Sequence, residues 1–318
     1  MPSPLWHRHA RRNLLQTLLL ILALFGIAAL AGFVLFGEDG LWIALAASGI
    51  ALLIEPSMAA GMTLRLYRAR PISYHEAPEL WNLMQRITER AGLPAIPTLH
   101  YTPSAIINAF AVGNRRHAAI ALSDGLLRNL SLREIVAVMA HEAAHIAHGD
   151  LRVMNLADYI SRLTALFALV GQVSLLLTLP WLLEGSAAIN WIGLLLLALS
   201  PHLALAAQLG LSRVREFDAD LEAARLSGDP EGLASALAKI ERVSRSWRNW
   251  LLPGWGNPDP SWLRTHPATE ERIRRLLSVQ SASQDAIAWV ASRRWDSGDM
   301  FATPVRSAPR WRLGGHWW

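Results

Sequence analysis

Four runs of largely apolar residues, each long enough to cross a bilayer, constrain this 318-residue chain more than anything else in it. A helix needs roughly 20 residues to span the hydrocarbon core. The runs cover about Leu14 to Phe36, Leu41 to Leu64, Leu163 to Leu183 and Ile189 to Leu211. Lipid offers no partner to a peptide group, so each run must be a helix that satisfies its own backbone. The composition agrees, with 52% of residues in the AVILMFWYC set and only 17% charged, more apolar than a water-soluble domain.

The flanking charges set an orientation. Arg8, Arg11 and Arg12 precede the first run, Arg65, Arg68 and Arg70 follow the second, Arg152 and Arg162 precede the third, and Arg213 and Arg215 follow the fourth. The two connecting turns hold Glu38, Asp39 and Glu184 and no arginine. By the positive-inside rule both termini and the long polar segments are then cytoplasmic. The first run is read as an uncleaved anchor despite the A-x-A pattern at Ala29 and Ala31, because the apolar stretch continues through Phe36. In the second, Glu55 and Pro56 are out of place in lipid, and mark either a functional acid or a span that ends early. Pro201 and His202 mark a kink in the fourth, whose freed backbone groups should find a local partner.

On this reading residues 1–64 form two transmembrane helices, and 159–211 a transmembrane hairpin. Residues 65–158 and 212–296 are two parts of one cytoplasmic domain, and 297–318 a disordered tail of mixed Gly, Pro, Arg and Trp. Trp247, Trp250, Trp255 and Trp262 are expected in a Pro/Gly-rich loop, lining a cleft, resting in the membrane interface or simply packing the loop. There is no cysteine, which excludes disulfides, thiolate nucleophiles and cysteine-ligated zinc. The net charge of +5 is almost all arginine, Lys239 being the only lysine. The arginines cluster beside the apolar runs, so the expected partner is the lipid bilayer with its anionic headgroups and not nucleic acid.

Chemistry concentrates in "SLREIVAVMAHEAAHIAH", which reads as a helix from Leu132 to about His148. Ser131 and Glu134 make a capping box, Leu132, Ile135, Val138 and Met139 recur at helical period, and Gly149 supplies the stop. His141 and His145 are four residues apart on one face, where two imidazoles can grip one ion, and Glu142 can reach water beside it. His148 lies a further turn along, about 4.5 Å of rise. Three imidazoles in a row on a straight helix cannot converge at the roughly 2 Å that zinc requires. His148 is therefore read as a helix-end residue facing the C-terminal dipole.

A metal with an open catalytic position needs one more protein ligand, here a carboxylate or histidine. In the helical pattern "LSRVREFDADLEAARLSGDP", Glu216 and Asp220 share a face. Glu216 could bind the ion while Asp220 accepts the free ring N–H of His141 or His145. The alternative is that both acids pair with Arg213, Arg215 or Arg225.

"HEAAHIAHGD" (His141 to Asp150), followed after a hairpin by "SRVREFDAD", resembles the signatures of the HtpX-like membrane zinc metalloproteases, gluzincins related to the CAAX prenyl endopeptidases. The similarity extends to "NAFAVG" from Asn108, "AIALSDGLL" from Ala119 and "THPATEERIRRL" from Thr265. The resemblance implies one Zn2+ per chain on His141, His145 and Glu216, with Glu142 as general base. It implies a mainly α membrane protein whose cytoplasmic α+β zincin-like domain holds a small β-sheet. Such an enzyme would sit in the bacterial inner membrane and cut membrane or misfolded proteins in quality control and stress response. The prenyl proteases carry more spans than four, so the HtpX-like branch fits better. Two alternatives are a CAAX-type processing protease and a non-catalytic scaffold with a retained metal site, although the latter would typically have lost Glu142 or a ligand.

Attack on a peptide carbonyl calls for an oxyanion donor besides the metal. His266 and Arg272 are the candidates, unless they are ordinary polar residues at a helix start. "INAFAVG" and "HAAIALS" read as two strands joined by a Gly-Asn-Arg-Arg turn, a small sheet beside the metal helix. An exposed edge there could take an extended peptide by strand addition. Asn108, with Ala109 and Phe110 after it, either anchors that peptide or caps the strand. Asp150 either helps the chain leave the helix or supports the metal shell from behind. Only about 6 Å of helix separates Ser212 from Glu216, so the metal is expected near the bilayer surface. Substrate identity and oligomeric state are not legible.

Overall fold

The computed structural model describes residues 4–53, 57–184, 190–250 and 269–278. In chain order they form α1 (Pro4–Leu53), α2 (Ser57–Leu66), β1 (Arg70–Pro71), α3 (Pro78–Ala91), β2 (Thr98–Thr102), β3 (Ala109–Gly113), β4 (Ala118–Ser123) and α4 (Asp124–Asn129). There follow α5 (Leu132–His148), α6 (Asp150–Leu183), α7 (Trp191–Ser227), α8 (Pro230–Trp250) and α9 (Thr269–Ser278). The chain divides into two compact units, residues 1–55 with 152–215, and residues 56–151 with 216–318. Expectations for Glu55, Pro56, Trp255, Trp262, His266 and the 297–318 tail fall outside the described residues.

The first unit is helical. Among the described residues, three helices are long and apolar enough to cross a membrane: Asn13–Leu53, Asp150–Trp181 and Trp191–Ser227. The first is not straight. Gly37 adopts φ 65° and ψ −143°, and a Cβ added to Gly32 would lie 2.3 Å from the Gly40 carbonyl oxygen. Residues eight apart stand about 12 Å apart along a straight helix. The chain therefore reverses at the expected Gly-Glu-Asp-Gly turn, and only glycine permits so close an approach of the two arms. Leu24 and Ala28 on one arm and Ala51 on the other share a buried cluster with Leu156, Ala157 and Ile160 of α6 and Ala204, Ala207 and Leu211 of α7. Small residues at such contacts let helices pack closely where no hydrophobic effect drives them together. Facing outward are Leu22, Leu53, Leu176 and Ile192, each more than half exposed, the arrangement that suits a lipid solvent. Pro201 in α7 cannot donate to the carbonyl of Leu197 four residues earlier. The Ser200 hydroxyl donates to that carbonyl instead, at 2.8 Å, the local partner expected at this site.

The second apolar run is described in two helical segments, and residues 54–56 between them lie outside the described residues. Helix α1 is described as far as Leu53, and α2 belongs to the other unit, where it packs on β3 and β4.

The second unit packs helices on a four-stranded sheet of order β1-β2-β4-β3. β3 and β4 are the two strands expected, antiparallel from Ala109↔Leu122 to Gly113↔Ala118. At their turn the Asn114 side-chain oxygen accepts from the N–H groups of Arg116 and His117, at 2.9 and 2.8 Å. β2 runs parallel to β4, and the two-residue β1 pairs antiparallel with β2. Leu80, Leu83, Met84 and Ile87 of α3 bury themselves in one core with Ile120, Leu122, Ile135, Met139 and Ala143.

Helix α5 is central to that core and begins and ends as its sequence dictates. Ser131 accepts from the Glu134 N–H while Glu134 accepts from that of Ser131, and Gly149 closes the helix in the left-handed conformation at φ 70°. Glu134 is only 3% exposed. It also accepts from Ser235 and Lys239 of α8, at 2.6 and 2.7 Å, which ties α8 to the start of α5. Trp247 and Trp250 are helical residues of α8, not loop residues as expected. The run from Pro230 carries an amphipathic helical pattern through to Trp250.

Candidate active site

Helical spacing brings His141 and His145 together. Their rings meet edge to face with centroids 4.7 Å apart, and their Nε2 atoms are 3.1 Å apart. The other ring nitrogens point to acids. His145 Nδ1 lies 2.8 Å from an Asp150 oxygen. His141 Nδ1 lies 3.1 Å from an Asp220 oxygen, at ion-pair distance but off line for a good hydrogen bond. Each acid favours the proton on Nδ1 and so turns the Nε2 lone pair inward. Of the two roles open to Asp150, the geometry matches support from behind.

Helix α7 supplies the third group. Glu216 oxygens stand 3.6 Å from His141 Nε2 and 3.5 Å from His145 Nε2. The three potential ligand atoms all lie within 4.8 Å of one another. Four ligands around zinc at bonds of about 2.05 Å sit at the corners of a tetrahedron with edges of about 3.3 Å. The Nε2–Nε2 separation of 3.1 Å is close to such an edge, and each imidazole faces a different Glu216 oxygen, Oε2 toward His141 at 3.6 Å and Oε1 toward His145 at 3.5 Å. Two imidazole lone pairs aimed at each other and at a carboxylate repel unless positive charge stands among them, so the donor set fits a cation.

The electrostatics agree. Burial is the largest single influence on both histidines and disfavours their charged forms, yet the acids overcome it. The His145 pKa is raised well above its ordinary value by Asp150 and Glu216, and that of His141 is raised by Asp220 and Glu216. Burial likewise pushes the Asp220 carboxyl up, but Arg272 and His141 outweigh it and hold the pKa below the ordinary range. Glu142, beside His141 in sequence, is 6% exposed and close enough to Arg272 to stabilise its charge.

Arg272 is occupied differently from the expected oxyanion donor. Only 4% exposed, it donates through Nε and Nη2 to both oxygens of Asp220, at 2.7 and 2.6 Å. Its Nη1 lies 2.9 Å from Glu216. Two acids on one helix face are thus fixed by one planar guanidinium, the bidentate geometry that arginine provides and lysine does not. The alternative partners Arg213, Arg215 and Arg225 are not the ones that hold Glu216 and Asp220 in these contacts. Local spacing could not select Arg272 from the other arginines, because it comes 52 residues after Asp220 in sequence.

The remaining candidates separate. His148 is exposed at the end of α5. Asn108 is half-buried, and its backbone N–H and carbonyl both bond to Ser123, at 2.9 and 3.0 Å, extending the β3–β4 ladder. Ala109 and Phe110 are buried in β3, with the Phe110 ring 4.8 Å from that of Tyr67, a contact no sequence signal announced. β3 ends the sheet, and no strand flanks its outer side among the described residues.

Comparison with known proteins gives a consistent picture. The family model described as peptidase family M48 matches residues 74–280. A protein named protease HtpX homolog from Ralstonia pickettii is 34% identical over 291 residues, 86% of this chain and 98% of the relative. Another of that name from Acaryochloris marina is 39% identical over 243 residues, 70% of this chain and 79% of the relative. A third, from Trichormus variabilis, is 32% identical and covered over 97% of its length. Among solved structures, the crystal structure of S. mikatae Ste24p aligns with a TM-score of 0.45 at 20% identity, covering 85% of this chain and 66% of that one. A likeness that distant supports no argument about this site.

Proposed function

Because the chain belongs to peptidase family M48, we propose that His141, His145 and Glu216 bind one zinc ion and that Glu142 is the general base of peptide-bond hydrolysis there. The chain is a membrane metalloprotease, with family membership supplying the activity and the three long apolar helices the membrane. The observation that carries the residue assignment is the convergence of two imidazole Nε2 atoms and one carboxylate within 4.8 Å of one another.

A zinc ion in this position supplies Lewis acidity, which polarises a peptide carbonyl and makes water a competent nucleophile near neutral pH. The chain's own groups do the rest. Asp150 and Asp220 hold the two imidazoles in the tautomer that presents Nε2. Arg272 keeps Glu216 and Asp220 charged and immobile, so its part is positioning. Glu142 takes the proton of the attacking water and returns it to the leaving amine. His266 is the second donor for the oxyanion. An extended peptide lies along the outer edge of β3, held by backbone pairing near Asn108, Ala109 and Phe110.

The substrates of this reading are membrane or misfolded proteins. The arginine flanks support four spans, counting the two arms of α1 separately, with the protease unit and both termini in the cytoplasm and the chain in the bacterial inner membrane. The test is Glu142→Gln in the detergent-solubilised protein. Zinc should stay bound while cleavage of casein and of the chain itself stops. Cleavage that survives the substitution removes Glu142 from the mechanism.

A further inference from the structure

Helix α2 stands apart from the rest of its unit. Its inner arc, with Ala60, Thr63 and Leu64 half-buried, packs on β3 and β4. Its outer arc shows Met62 at 72% and Leu66 at 66% exposure, one turn apart, with exposed Arg65 beside them. Other large apolar residues exposed in this unit, such as Tyr74, Ile96 and Leu277, are dispersed over separate elements, which is ordinary for a protein surface. An adjacent pair on the one face its own fold leaves open is less ordinary.

Two further observations identify what covers that face. Three residues of sequence separate α2 from Leu53, the last described residue of a helix long and apolar enough to cross a membrane, and three residues span at most about 11 Å. Arg65 and Arg68 stand at the C-terminal end of α2, and the next basic residue, Arg70, is paired with Glu76 at 2.8 Å. Arg68, in the left-handed conformation at φ 51°, ends the helix abruptly and keeps the basic residues at its C-terminal end. A short helix with an apolar stripe and basic neighbours is the pattern that lies in the plane of an anionic membrane surface, its apolar side chains reaching about 5–10 Å into the headgroup region.

We propose that the outer face of α2, Met62 and Leu66 with Arg65, seats on the anionic surface of the bilayer. The bilayer contact is thereby extended from the spanning helices to the helix that buttresses edge strand β3. This seat does not depend on which residues bind the metal, and its test does not read activity.

The absence of cysteine allows a clean experiment on the full chain. Met62→Cys, Leu66→Cys and, as an exposed control, Ile96→Cys are each labelled with an environment-sensitive fluorophore. The labelled chains are placed in nanodiscs of phosphatidylcholine with or without phosphatidylglycerol, with circular dichroism confirming that each is folded. Labels at 62 and 66 should emit blue-shifted light and be quenched by brominated lipid several-fold more than the label at 96. The difference should be larger in the anionic discs. Adding Arg65→Glu should reduce quenching at 62 in the anionic discs and not in the neutral ones. Water-like emission at both positions in both discs overturns the proposal. So does a blue shift that appears only when casein is added, which would make the face a protein-docking surface. Equal quenching in the two discs overturns the anionic preference.

Discussion

Helix α5 is flanked by buried carboxylates near both ends, and the two sites resolve their charge in opposite ways. Near its start, Glu134 is surrounded by donors: the Ser131 backbone and hydroxyl, the Ser235 hydroxyl and the Lys239 ammonium. Burial is the largest influence on its pKa and raises it, yet Lys239 and the hydroxyls pull it below the ordinary value. Every oxygen is answered, and the result is a structural tie. Toward the other end, Glu216 and Asp220 receive one guanidinium between them. Two imidazole Nε2 atoms then face Glu216 and each other. A buried acid among donors is structure, whereas acceptors converging on one point are a site that selects a cation.

The contrast breaks most sharply at Arg272. Arg272→Met leaves Asp220 and Glu216 buried without their cation, and removing one partner of such a pair costs about 3–5 kcal/mol. A large fall in the thermal denaturation temperature of the metal-free protein in detergent is expected. Combining it with Asp220→Asn should recover part of the loss, since the two side chains act as one unit. Asp150→Asn comes next. It removes a carboxylate behind His145, and loss of such support typically lowers metal affinity about 10–100-fold, measurable by chelator competition. The smallest effect belongs to the other end of the helix. Lys239→Met removes a partly exposed cation from Glu134 and should cost about 0.5–1 kcal/mol with no change in zinc binding. Because the folded pKa of Glu134 is depressed, this contribution exists above the ordinary carboxylate range and is lost as pH falls through the folded value. Denaturation curves of wild type and variant should separate at neutral pH and merge in acid.

These differences also mark what could be read from the chain alone. His141, His145 and the capping box lie within one helix, where spacing fixes geometry. Glu216 and Asp220 share a helix face, so their placement side by side was legible even across an apolar hairpin. The turn at Gly37 was legible because glycines and acids interrupt an apolar run. The pairing of Arg272 with Asp220 and Glu216 was not legible, because the direction in which a guanidinium points depends on where the packing of α9 on α8 places it. β1 and β2 were missed because a two-residue strand has no periodicity, and "TLHYT" alternates too briefly to stand out. That Ser57 to Leu64 belong to the second compact unit was not legible, because hydropathy registers how apolar a run is and not what it packs against.

The central claim is that His141, His145 and Glu216, and not His148, form one zinc site. Elemental analysis of the purified full-length chain tests it directly. Wild type and Glu142→Gln should each carry about one zinc per chain, and so should His148→Ala, whereas Glu216→Ala should carry almost none. Zinc retained in full by Glu216→Ala, or lost from His148→Ala, would contradict it.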